Sequence, residues 1–521
     1  MENKREKNAV ITKKGREVYT ECMAEYVLPD YKGDIKRIMH AEARAMESGH
    51  FVGEDSSEFN GVVVFDVLYV SADDELTSVS FTSDYTVRTE KEEKVYDVTA
   101  KTACEGVNVR LPGPRKISAR ARVVLSLFED EEALIPTVGT TFLEENEPET
   151  LCEEIKAERI IRGTYKDREY AEELFSAVGA AVDDVSVVSE QAVVRVNSAV
   201  SFDGGVMLEG EICVSCITVK EGTCPIKRNV KIPFEERVEA SDVKEGMNAF
   251  GFGNAVSLSC APVPTDDGVR VNANVIVDFA IEAYANTKIS VVKDAYSKVC
   301  DVENKYKELG YTEYLDTKRS VSRISRDVPK KATELPLATD VVSLYATPKI
   351  ESVTVEGTSV KVDGEIAFSG VACEVLEGDK RNYASIKVSA PYSEKVNFSC
   401  QIPENTSTEC AVEIIEPRVT LDGENFYFEC GLALTVTLSS SKSVTCLVSS
   451  ESFPSTKVDV PTSTVNVYYP DASDSLFEIA KVFKTSVRKI AEDNALTEET
   501  VSVANIEGSL SSVKKLIIAK L

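Results

Sequence analysis

Apolar and polar residues alternate with a period of two along most of this chain, in stretches such as VTVEGTSVKVDGEIAF (353–368) and VRVNANVIVDFAIEAY (269–284). Strict alternation puts apolar side chains on one face of an extended strand, and the Gly, Asp and Pro clusters between such runs are turn formers. The pattern predicts antiparallel β modules built as sandwiches. The period lengthens to a helical one in three places. YAEELFSAVG (170–179) and DAYSKVCDVENKYKEL (294–309) predict helical connectors, the second with a stripe of Ala295, Val299, Val302, Tyr306 and Leu309. SDSLFEIAKVFKTSVRKIAEDNAL (473–496) predicts two short helices. Ser475 with Glu478 forms a capping box, and Leu476, Ile479, Ala480 and Phe483 make one apolar face. Thr485 or Ser486 caps the second helix, with Val487, Ile490 and Ala491 inward. With VNVYY (465–469) before the pair and VKKLIIAKL (513–521) after it, the order is β-α-α-β.

Self-similarity divides the body of the chain. Three windows open on an Asp followed by aliphatics, at Asp34, Asp184 and Asp340. Each then reaches a strand-opening Gly (Gly61, Gly210, Gly364) and, after a hairpin, an aromatic residue (Tyr85, Phe234, Tyr392). The division is a polar tail at 1–15 and modules at 16–145, 146–320 and 321–448. A Ser/Thr/Pro-rich linker (449–464) leads to a terminal unit at 465–521.

Charge and cysteine chemistry narrow the partners. The 521 residues carry 59 Lys+Arg against 87 Asp+Glu, a net charge of -28, which repels phosphate backbones and anionic membranes. No nucleic acid is expected as a partner. The N-terminal residues MENKREKNAVITKKGRE lack an apolar segment, and no run of about 18 apolar residues occurs, so membrane insertion is not expected and a cytoplasmic location is. Thirteen irregularly spaced cysteines fit a reducing compartment. Cys213 and Cys216 in CVSC make half a zinc pattern with no second half, so no metal and no cofactor is expected. No P-loop, G-x-S-x-G or H-E-x-x-H pattern is present, which predicts a protein that is not an enzyme.

The ordered landmarks, with VLPDYKGDIKRI near the start, the RKI of GPRKISARARV (Arg115 to Ile117) and SVVKDAYS (290–297), resemble the SPOCS domain of spore coat assembly. The terminal unit resembles a LysM domain: SDSLFEIAKVFKTSVRKIAEDNAL follows that family's helix start and Asn-x-Leu exit, and KKLIIA its closing strand. SPOCS modules followed by one LysM resemble coat morphogenetic proteins of the SipL and SpoVID type. The resemblance implies a scaffold on the mother-cell side of the forespore surface whose LysM binds a SpoIVA-like coat basement ATPase, with other coat proteins on the SPOCS modules. Glycan-binding LysM members use the loop leading into the first helix and the loop after the second. Those positions here are Asp474, Ser475, Leu476 and Phe477, and Asn494, Ala495 and Leu496. Ser473 replaces the family's glycine and the 497–513 loop is enlarged, so a protein is expected in the groove, with Phe477 as an aromatic anchor. Lys481, Lys484, Arg488 and Lys489 cluster on and between the two helices and add a basic patch suited to an acidic partner. The alternative is peptidoglycan binding in the cell wall or spore cortex.

Overall fold

The computed structural model of the chain describes residues 9–92, 95–133, 148–220, 225–376, 381–453, 465–471, 474–496, 510 and 513–519. Among the described residues, eighteen strands build the body. The first six are β1 (Ala9–Val27), β2 (Ile35–Val52), β3 (Ser56–Ser71), β4 (Leu76–Glu90), β5 (Val95–Gly113) and β6 (Lys116–Ala133). The next six are β7 (Pro148–Val178), β8 (Val185–Phe202), β9 (Gly205–Lys220), β10 (Ile226–Glu239), β11 (Asn248–Thr265) and β12 (Gly268–Ser297). The last six are β13 (Asp301–Pro329), β14 (Asp340–Glu356), β15 (Ser359–Val375), β16 (Arg381–Asn397), β17 (Thr406–Asp422) and β18 (Asn425–Phe453).

Each set of six makes the same pair of three-stranded antiparallel sheets. The second, third and fourth strands form a meander, while the sixth lies between the first and the fifth. The period of two sets the cores. On β3, Phe59, Val63, Phe65, Val67 and Tyr69 turn inward to meet Ile117, Ala119, Ala121, Val123 and Leu125 of β6. The same alternation fills the second core from Val206, Leu208, Ile212 and Val214 against Val269 to Ile281. It fills the third from Val360, Val362, Ile366 and Phe368 against Phe426 to Leu438.

The repeated glycines have one structural cause. Gly61, Gly210 and Gly364 stand directly opposite Tyr85, Phe234 and Tyr392 on the next strand. The ring occupies the space above each glycine, and the carbonyl of Met46, Arg195 or Lys349 closes it from the other side, so a Cβ would collide with both. The flanking strand bulges at the same level in all three modules, between Glu47 and Gly49, Val196 and Ser198, and Ile350 and Ser352. Two of the motifs noted separately in the sequence meet in space. Arg115 donates to the carbonyls of Leu28 (3.3 Å), Pro29 (2.8 Å) and Lys32 (3.2 Å) and to Asp34 Oδ1 (2.8 Å), which fixes the VLPDYKGD turn. Asp267 and Glu424 stand at the matching turns of the other modules. The backbone bond persists there without the arginine: Leu28 N to Arg115 O, Gly179 N to Asp267 O, Lys330 N to Glu424 O.

The three modules meet through equivalent positions. One cluster collects Met39, Val188 and Val342 from the second strands, and Leu68, Ile217 and Val371 with Val70, Val219 and Cys373 from the third strands. These side chains lie on the outer face of each meander, so three apolar faces close on one another in threefold fashion. A polar node forms where the other sheets approach: Lys101 of the first module reaches Glu282 of the second (2.8 Å) and Glu409 of the third (3.4 Å).

The sequence expectation of a mainly β chain agrees with the structure, but that of helical connectors is corrected. Residues 170–178 continue β7, paired with β12, and 294–309 are the end of β12 and the start of β13. A bulge opposite Val271 and Asn272 sets the first apparent helix period, because it lets Leu174 and Phe175 both pack on the core. Around 294–309 long-range pairing overrides local propensity. Two α-helices occur among the described residues, both in the terminal unit. Several boundaries differ as well: β1 starts at Ala9, β13 already belongs to the third module, and residues 449–453 extend β18. Residues 454–464 lie outside the described residues.

Candidate partner-binding site

The terminal unit runs β19 (Val465–Tyr468), α1 (Leu476–Phe483), α2 (Val487–Asp493) and β20 (Leu516–Ala519), with β19 and β20 antiparallel. Its local chemistry follows capping rules. Ser475 Oγ accepts from Glu478 N (3.3 Å) to start α1, and Ser486 Oγ accepts from Lys489 N (3.1 Å) to start α2. Lys484 takes the left-handed conformation (φ 51°) that ends α1 and turns the chain into α2. Leu476, Ile479 and Ala480 then pack on Ile490, Leu510, Leu516 and Ile518.

The candidate residues divide by role. Asp474 Oδ2 accepts from Tyr468 Oη (2.8 Å) and Asp471 N (2.8 Å), closing the turn into α1. Asn494 acts as a rivet: its Nδ2 donates to the carbonyls of Ile490 (2.8 Å) and Ile517 (2.6 Å), and its Oδ1 accepts from Ile517 N (2.6 Å). Ala495 holds a positive φ of 51°, and Leu496 N bonds to Ala491 O as its side chain packs on the core. Leu476 and Phe477 are interior residues. The expectation of Phe477 as an outward-facing anchor is therefore corrected: at 2% exposure its ring belongs to the core, facing Tyr296 of β12 edge-on at 5.2 Å. Ser473 and most of 497–513 lie outside the described residues.

The lysines face the body. Lys481 Nζ forms an ion pair with Asp294, while Lys484 Nζ lies 3.2 Å from Asp301 and donates to Cys300 O at 3.4 Å. Tyr296 Oη donates to Thr485 O at 2.5 Å, and Leu151 and Val302 pack on the same core. Burial works to lower the Lys481 ammonium, and the Asp294 carboxylate outweighs it, holding the group above its ordinary range. Asp294 also accepts from Tyr306 Oη (2.7 Å) and Asn304 Nδ2 (2.8 Å), so its carboxylate is held in place before Lys481 reaches it. Arg488 is different: its side chain is 89% exposed and pairs with Glu492 along its own helix. The basic cluster is thus split between Lys481 and Lys484, which pair with the body, and Arg488 and Lys489, which pair with Glu492 and Asp493 along α2. Sequence reasoning did not assign the body's half of this contact, although Asp294 and Tyr296 lie within the SVVKDAYS motif.

Cys213 and Cys216 are three apart on β9 and so point to opposite faces, and among the described residues no three His, Cys, Asp or Glu side chains converge to hold an ion. Two cavities, of about 390 and 510 Å³, lie between the modules, lined by body residues and not by the terminal unit. No helix among the described residues is long and apolar enough to cross a membrane. No protein-family model matches the chain, and no curated protein matches it.

Proposed function

We propose that the chain is a non-enzymatic scaffold of spore coat assembly, binding a SpoIVA-like basement ATPase through its terminal unit and other coat proteins through its three modules, on the mother-cell side of the forespore. The reading rests on one observation above others. The same six-strand module, with the same glycine–aromatic lock, recurs three times and is followed by a small β-α-α-β unit. That is the order in which the SPOCS and LysM resemblances place them. An array of β modules offers wide surface for protein contacts, and the excess of acidic charge disfavours nucleic acid and anionic lipid. The test is location: a fluorescent fusion followed through sporulation should form a ring around the forespore. Uniform signal in vegetative cells, or sedimentation of the purified chain with peptidoglycan competed by chito-oligosaccharide, would overturn the reading in favour of wall binding.

A further inference from the structure

We infer that the α1 face of the terminal unit docks a protein patch carrying two carboxylates around an aromatic ring, and that the body holds this face with its own copy of such a patch. The inference rests on the scaffold reading and names the regulation of its binding site. Asp294, Tyr296 and Asp301 supply the three parts in the closed state: a carboxylate for Lys481, a ring against Phe477 with a hydroxyl on the Thr485 carbonyl, and a carboxylate for Lys484. The contact is mixed rather than wholly apolar, the composition of interfaces that open and close. Charge points the same way. In a chain of net charge -28, two lysines of one short helix and its cap are spent on two acids of the body. An external acidic and aromatic patch therefore competes with the internal one, and its apparent affinity is reduced by the fraction of chains held closed.

The same contact fixes the test, made on the full chain with a purified SpoIVA-like ATPase as the probe. Asp294→Asn with Asp301→Asn removes both internal charges. Tyr296→Phe keeps the ring and removes only the hydroxyl donated to Thr485, so it serves if the double variant fails to fold. Amide exchange over 476–483 should quicken in the double variant, and its affinity for the ATPase should rise about tenfold, with a smaller gain of about threefold for Tyr296→Phe. Adding Lys481→Glu and Lys484→Glu to the double variant should abolish the gain. Faster exchange with unchanged affinity overturns the inference and leaves the scaffold reading standing. Unchanged exchange in both variants also overturns it, since these contacts would not be what holds the unit. No binding by the parent chain or any variant overturns the partner assignment itself, and the inference with it.

Discussion

His40, half-buried, and Glu158, buried, each lie at a seam between modules, and each makes stability depend on pH in its own direction. His40 stacks on Tyr345 of the third module at 3.6 Å, with Nδ1 3.1 Å from Ser369 Oγ. Burial depresses its pKa from 6.5 to about 4; Lys387 lowers it further, and Asp66 partly offsets both. A depressed base contributes stability that is present above pH 6.5 and lost as pH falls toward 4, because the unfolded chain takes up the proton first. That loss is roughly 3 kcal/mol. His40→Gln should flatten the urea midpoint against pH between 6.5 and 4 relative to the parent. Glu158 behaves oppositely. At 6% exposure it accepts from Ser439 Oγ at 2.7 Å, and burial raises its pKa, opposed by that bond and reinforced by Glu409. A raised carboxylate contributes stability that is full below the ordinary Glu range and lost as pH rises through the folded value. Glu158→Gln keeps an oxygen for the Ser439 hydroxyl. It should raise the melting temperature at pH 7, by a gain on the order of 1 kcal/mol, and leave it unchanged at pH 4.

Among the elements, the glycine–aromatic pairs were legible in the sequence because the same cross-strand register sets the glycine opposite the aromatic residue in every module. The matching bulge keeps the core face in phase on both sides of it. Gly61→Ala, Gly210→Ala and Gly364→Ala should each destabilise by about 3 kcal/mol, measured by chemical denaturation, since backbone as well as ring must move. Replacing Tyr85 or Tyr392 by Phe should cost far less, because only a hydroxyl bond of 3.4 or 3.2 Å is lost and Phe234 already lacks it. The connectors were misread for a physical reason: at Leu174 and Phe175 a bulge puts two successive apolar residues on the core, which imitates a helical stripe. The capped helices of the terminal unit were legible because Ser475 and Ser486 act within one turn of sequence. Their docking was not. Lys481 meets Asp294 across a separation of 187 residues, which no local pattern encodes.

For the whole molecule, the threefold seam makes the modules depend on one another. Met39, Val188 and Val342 each follow another aliphatic residue in the windows that open on Asp34, Asp184 and Asp340, each sits at a bulge of its strand, and only the assembled fold shows that they meet at one seam. Val371→Asp places a charge at the centre of that seam. Relative to the parent, it should spread thermal unfolding into more separate transitions and open the joints between modules to protease, while each sandwich core stays folded. The order of strands also decides how the chain carries load. Because the first strand of every module lies antiparallel beside the last, Ala9 faces Ala133, Pro148 faces Ser297 and Asp301 faces Phe453, so the chain begins and leaves each module at the same end. Tension along the polypeptide then meets the hydrogen bonds of each closing pair one after another rather than all together. A module pulled through its own termini should peel open like a zipper, at low force. Resistance to load would then have to come from the sideways contacts between sandwiches, such as the seam of Met39, Val188 and Val342.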